Sequence, residues 1–276
     1  MSAPGFRLRP LGVADILDES FRIFRRHFLA LIAIGTVCLV PVAALQIVLQ
    51  LLVVLTSSPG GIILVTVITT IASLISYLVL FAAMVHAISE ICLGRPPAVG
   101  ASLAIAPGRF LPMLGVSLLT FLAVGLMIIT IIGLPFALYF SIAWGFTLPL
   151  VVLERIGVLR SFSRSRSLVR GNWWRVLGVT LLYMLLSFVV GIVAGIPGAI
   201  LTVVIAVLRL PESFQILSGS LNVLASTAAG ILVSPFSYAG WVLMYYDLRS
   251  RKEGFDLELL AAEVAAPQPD PRPIDS

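Results

Sequence analysis

Six ionisable residues stand where any chemistry in this chain would have to be found: His86, Glu90, Glu154, Arg164, Asp247 and Arg249. His86 and Glu90 are four apart and would share one face of a helix. One histidine with one carboxylate does not make a metal site. Glu154 stands beside Arg155 and Asp247 two residues before Arg249, spacings that suit ion pairs anchoring the neighbouring segments. Chemistry on a lipid would need His, Asp or Glu clustered at the membrane surface, and only Glu90, Glu154 and Asp247 are placed to converge there. The residues therefore predict no catalytic group, no metal site and no cofactor. The six are functional candidates, each with structural anchoring as its competing reading.

The elements that must position them are set by composition. Of 276 residues, 59% are hydrophobic and 11% charged, against about 25% charged in a soluble domain; a membrane is the solvent that fits. Asp, Glu, Lys and Arg are absent between Arg26 and Glu90, Arg109 and Glu154, Arg175 and Arg209, and Glu212 and Asp247. A span needs about 20 apolar residues, so the first two intervals hold two spans each and the last two hold one each. Turn signals at Ser57-Ser58-Pro59-Gly60-Gly61 and Gly133-Leu134-Pro135 divide the longer intervals. The prediction is an all-α membrane protein of six transmembrane helices arranged as three hairpins, with amphipathic interfacial helices on the cytoplasmic side. The expected spans are 29–56, 62–93, 110–132, 134–153, 176–207 and 217–246. Residues 1–27 form an amphipathic cytoplasmic segment, 28–246 the transmembrane domain, and 247–276 a cytoplasmic tail disordered from about 265, where Pro267, Pro269, Pro271 and Pro273 alternate with other residues.

Orientation follows from the basic residues. Segments 1–27, 94–109, 154–175 and 247–276 hold every Arg and the single Lys except Arg209, which places that side, with both termini, in the cytoplasm. The same placement explains the net charge of +5 through topology and attraction to anionic lipid, and removes nucleic acid as a partner. Almost exclusive use of Arg over Lys points to a bacterial source and hence to a plasma (inner) membrane.

One unit, an amphipathic segment followed by a hairpin, recurs three times. Arg25-Arg26-His27-Phe28-Leu29, Gly108-Arg109-Phe110-Leu111 and Gly171-Asn172-Trp173-Trp174-Arg175 each put Arg and aromatics before a span. A true triplication and convergent interface chemistry both fit. Val13, Ile16, Leu17, Phe21, Phe24 and Phe28 form a helical stripe opposite acids and arginines, and residues 157–170 set Val158, Leu159, Phe162 and Val169 against Arg160, Arg164 and Arg170. Such helices lie in the membrane interface or pack beneath the hairpins.

Polar residues within spans are few: Gln46, Gln50, Thr66, Thr69, Thr70, Ser73, Ser76, Ser141, Thr147 and Asn222. Hydrogen bonds between helices would account for them. Pro41, Pro112, Pro149, Pro197 and Pro235 mark kinks or hinges, and Gly191, Gly195 and Gly198 a surface for close helix approach.

Three passages resemble the bacterial family named after the membrane domain of glycerophosphoryl diester phosphodiesterase. They are Arg9-Pro10-Leu11 with Asp15-Ile16-Leu17-Asp18, Ser20-Phe21, Phe24-Arg25 and Phe28; Glu154 with Arg164-Ser165, Leu168-Val169, Gly171 and Trp173-Trp174-Arg175; and Pro235 with Tyr245-Tyr246-Asp247-Leu248-Arg249 and Arg251-Lys252-Glu253-Gly254-Phe255-Asp256-Leu257. The resemblance implies an integral membrane protein that stands alone or precedes a soluble phosphodiesterase domain. Such a domain would bring a metal site of Glu and Asp with catalytic histidines in a barrel. The chain ends soon after its last span, so the resemblance is read for the membrane part only.

Three functions compete. The first is a non-enzymatic scaffold, regulator or accessory module of the cell envelope, with membrane lipids and a protein partner. The second is a transporter or channel for a lipid or small apolar solute, which predicts a pocket between hairpins lined by Thr and Ser. The third is an intramembrane enzyme built on the three carboxylates.

Overall fold

A computed structural model describes residues 12–56, 59–209, 211 and 213–254. The expected disordered tail and the Arg9-Pro10-Leu11 passage lie outside the described residues. Among those described there are nine helices and no strand: α1 (Val13–Arg26), α2 (Phe28–Thr56), α3 (Pro59–Cys92), α4 (Val99–Ile128), α5 (Gly133–Ala143), α6 (Thr147–Leu153), α7 (Val158–Val169), α8 (Trp173–Leu208) and α9 (Ser213–Glu253).

Six stretches are long and apolar enough to cross a bilayer: Phe28–Val53, Pro59–Cys92, Val99–Ile128, Gly133–Leu153, Trp173–Leu208 and Phe214–Glu253. The chain is an integral, multi-pass membrane protein. Helix is the form such segments must take, because hydrocarbon offers no partner to an open N–H or C=O.

The fourth stretch is two helices, α5 and α6, broken at Trp144-Gly145-Phe146. Pro135 and Pro149 each fall in the first turn of their helix, where the missing N–H costs nothing. The break is mended from outside the span. Ser165 of α7 donates to the Ala143 carbonyl (2.8 Å) and accepts from the Phe146 N–H (3.2 Å). A buried hydroxyl thus replaces the two lost backbone partners.

Burial is concentrated at one end of the bundle. On α3 it runs from Ser76 to Cys92, on α9 from Ala239 to Leu248, and on α8 it covers Val176, Val179 and Tyr183. This is the end where the acids and bases gather. Towards the other end Ile62, Leu64, Phe121, Leu126, Ile192 and Val203 are exposed, surface suited to lipid. Helix α9 is the hub, packing on α8, α2, α1, α3 and α7, while α3 packs on α4 as extensively as on α2. The contacts therefore do not divide the molecule into three self-contained hairpins. At Gly240 a Cβ would come 2.1 Å from the Tyr183 ring, so α8 and α9 meet there with no room for a side chain.

The two amphipathic helices turn only part of their apolar stripe inward. On α1 the buried face is Ile16, Ser20 and Ile23; Val13, Phe21 and Phe28, at its end, remain exposed. Ser20 donates to the Ile16 carbonyl and shares a 2.7 Å hydrogen bond with the Tyr183 hydroxyl of α8. On α7 the buried residues are Ser161, Ser165, Leu168 and Val169, whereas Leu159, expected on the apolar side, is 79% exposed. Small serines rather than branched side chains let α7 lie close beneath the broken span.

The polar residues within spans mostly bond to their own helices, contrary to expectation. Thr66, Thr69, Ser73 and Ser141 donate to carbonyls four residues back, and Thr147 to one three back. Gln46 to Ser73 (3.2 Å) and Ser76 to the Cys38 carbonyl (2.6 Å) do join α2 to α3. Of Gly191, Gly195 and Gly198 on α8, Gly198 alone has a close neighbour among the described residues, Asn222 of α9.

Candidate functional site

The acids and bases at the packed end form a junction around the last turns of α9. Helix α6 ends at Glu154, and Arg155, at φ 56°, reverses the chain into α7. The return brings Arg164 back onto Glu154, with Nε and Nη2 each donating over 3.2 Å to the two carboxylate oxygens. Such a fork-on-carboxylate pair fixes angle as well as distance. Arg164 Nη2 also donates to Glu253 Oε2 of α9 at 2.9 Å, and Arg249 Nε donates to the same oxygen at 3.1 Å. The Tyr245 hydroxyl donates to Glu154 Oε1 at 2.9 Å and accepts from Arg249 Nη1 at 3.4 Å. Glu154, Arg164, Glu253, Arg249 and Tyr245 thus close a ring in which two carboxylates balance two guanidiniums. Hydrogen bonds from Arg164 to Glu253 and Glu154 hold its guanidinium charged well above the usual arginine range.

Beside this ring lies a second group. The Asp247 side chain is wholly buried, with Arg175 of α8 at 3.0 Å and Arg251 Nε at 3.1 Å from both its oxygens. Two bases on one carboxylate compensate the cost of removing it from water. Lys252 donates to the carbonyls of Ser167 and Arg170, the open acceptors at the end of α7. Tyr246 shares a 2.6 Å hydrogen bond with Ser89 of α3. In one helical run, Tyr245, Tyr246, Asp247, Lys252 and Glu253 therefore reach α6, α3, α8 and α7 in turn.

The expected candidates are partly brought together. Glu154, Arg164 and Arg249 belong to one ring, but Glu154 is held by Arg164 rather than by adjacent Arg155. Asp247 takes Arg175 and Arg251 rather than Arg249, because positions two apart on a helix point in different directions. Glu90 pairs with Arg95 at 3.5 Å, and His86 Nδ1 lies 3.3 Å from Ser102 of α4. Glu90, Glu154 and Asp247 thus go to three separate sets of partners, and the carboxylate cluster needed for lipid chemistry does not form from them. Among the described residues no group of three or more His, Cys, Asp or Glu could hold a metal ion.

Reading by residue missed Tyr245, Tyr246, Arg175, Lys252 and Glu253 as junction residues. Two signals were present, the spacings Asp247–Arg251 and Arg249–Glu253, four apart as on one helix face. They count only if the helix runs on past 246, as α9 does to Glu253.

No curated protein and no solved structure matches the chain. A family match covers residues 116–263, which takes in the whole junction except its α3 contact and leaves out the α1 passage. Over more than half its length the chain matches the membrane domain of glycerophosphoryl diester phosphodiesterase, and it belongs to that family.

Proposed function

We propose that this chain is a non-catalytic module of a bacterial inner membrane, a scaffold or accessory subunit whose charged end faces the cytoplasm and docks a protein partner. One observation carries the reading: the ring and the Asp247 group are spent on one another, and they lock α7 in place with a basic face turned outward. Leu159, Arg160 and Arg166 are exposed on that face. A rigid helix offering one apolar residue between two guanidiniums suits an acidic protein surface, since pre-ordered side chains lower the entropic cost of binding. The family match to a membrane domain, not a catalytic one, supports the same reading. The placement of every basic residue but Arg209 on that side supports the orientation.

Purification from native membranes in mild detergent, with mass determination of all that is retained, tests it. A protein at fixed stoichiometry is expected, and Arg160→Glu with Arg166→Glu should release it while leaving the bundle folded. Retention of that protein by the charge-reversed chain would refute the docking face.

A second reading, transport of a lipid or apolar solute, is favoured by a groove of about 360 Å³ between α2–α3 and α8–α9. Tyr77, Ser187, Ser226, Ser237, Tyr238 and Trp241 are among its lining residues. Lipid flux in liposomes, lowered by Ser226→Leu, would move this reading ahead.

A further inference from the structure

The end of the molecule remote from the junction carries one basic residue, Arg209, and it lines a cavity of mixed polar and apolar character. The cavity, about 480 Å³, lies between the last turns of α8 and the first turns of α9. Its volume falls within the ~300–1,000 Å³ of small-ligand pockets. Thr202 and Arg209 line it from one helix, and Gln215, Ser218 and Asn222 from the other. The floor is tied down, with Thr202 Oγ1 and Ser218 Oγ 2.7 Å apart and 2.8 and 3.1 Å from the Gly198 carbonyl. The walls are not: among the described residues no hydrogen bond or ion pair engages the side chains of Arg209, Gln215 or Asn222.

Two further observations point to a ligand. Arg209 caps α8 in the left-handed region, φ 50° and ψ 43°, a position that glycine fills without steric cost. Backbone strain of this kind clusters at functional sites. The outer faces of the same turns are apolar, with Val203, Val207, Leu208, Phe214 and Leu217 all exposed. A cavity that sets Arg209, Gln215 and Asn222 beside Ile205 and Ala206, with apolar faces outside, offers a charged headgroup and its chains one continuous surface.

We propose that this cavity binds the phosphate-bearing headgroup of a membrane lipid. Arg209 supplies the counter-charge, the Gln215 and Asn222 amides donate to phosphate or ester oxygens, and the lipid's chains lie along the apolar faces outside. A guanidinium matches the paired oxygens of a phosphate, and one positive charge balances the single negative charge of a phosphodiester. The assignment is independent of the partner reading above and of which side of the membrane this end faces.

The test uses the full chain in a phosphate-free detergent, with binding read by native mass spectrometry. The probes are phosphatidylglycerol, diacylglycerol, which shares the chains and lacks the phosphate, and inorganic phosphate as competitor. Phosphatidylglycerol should bind and diacylglycerol should not. Arg209→Gln should weaken the complex roughly tenfold or more, the usual scale for losing charge-assisted hydrogen bonds. Asn222→Leu, which fills the cavity, should do the same by a route that leaves the charge in place. Arg95→Gln, at the opposite end, should change nothing. If both cavity variants hold phosphatidylglycerol as tightly as the parent, or if diacylglycerol binds equally well, the site is not what it is proposed to be. Displacement of the lipid by inorganic phosphate at equal concentration would overturn the lipid assignment in favour of a soluble phosphate ester. A loss of thermal stability in Arg209→Gln with lipid retention unchanged would reduce the residue to a helix cap and likewise overturn the proposal.

Discussion

At the scale of single residues, Asp247 is the group whose loss should cost most. Its carboxylate is buried and faces two guanidiniums, so Asp247→Asn leaves two charges without their counter-ion. Breaking a buried pair this way costs about 3–5 kcal/mol, and the detergent-purified variant should unfold many degrees lower in a thermal scan followed by tryptophan fluorescence. Tyr245→Phe removes one hydroxyl from the ring and should cost only about 1 kcal/mol. Glu154→Gln and Arg164→Gln should be non-additive in a double-mutant cycle, because each single change already opens the same pair. How much of this was legible beforehand follows from separation. The Asp247–Arg251 and Arg249–Glu253 pairs are four apart and follow from helical spacing alone. Arg164 to Glu253 and Tyr245 to Glu154 are 89 and 91 residues apart, and nothing local in the chain pairs them. Sequence neighbours such as Arg155 therefore looked like partners and are not.

At the scale of elements, the fourth span shows a short amphipathic helix supplying what a broken membrane helix lacks. Ser165→Ala would leave the Ala143 carbonyl and the Phe146 N–H without their partner. An unsatisfied buried group costs about 1–3 kcal/mol. Ser167→Ala, two residues on and exposed, loses a bond only to its own helix and should stay within about 0.5 kcal/mol of the parent. A chemical-denaturation series on the two variants separates them, and equal stabilities would mean that the break is not held by α7. Gly240→Ala should drive α9 off the Tyr183 ring and loosen the Ser20 tie to α1 as well. The apolar stripes of α1 and α7 were readable from their period, but the seat of each was not. The buried positions include Ser20, Ser161 and Ser165, which a count of hydrophobic residues passes over; close packing beneath a span favours small side chains there over large ones.

At the scale of the whole molecule, the six spans were legible because charge is so costly in hydrocarbon that its absence marks each crossing. The uneven packing was not, since tightly packed and lipid-facing halves of a span are equally apolar. The proposed orientation makes a direct prediction. Cys38 and Cys92 are buried, so an added cysteine is the accessible thiol. In intact cells an impermeant maleimide should label Pro211→Cys and should reach Arg95→Cys only after lysis; the reverse pattern would invert the topology. The position of the junction also bears on how the protein is made. The residues that bind α3, α6, α7 and α8 together lie in the last turns of the last described helix, so they leave the ribosome after everything they join. Until then Glu154, Arg164 and Arg175 wait at the membrane surface without Glu253, Tyr245 or Asp247. A chain that stops before Tyr245 would keep most of its sixth span yet lack the α9 groups that close the junction, leaving that socket open.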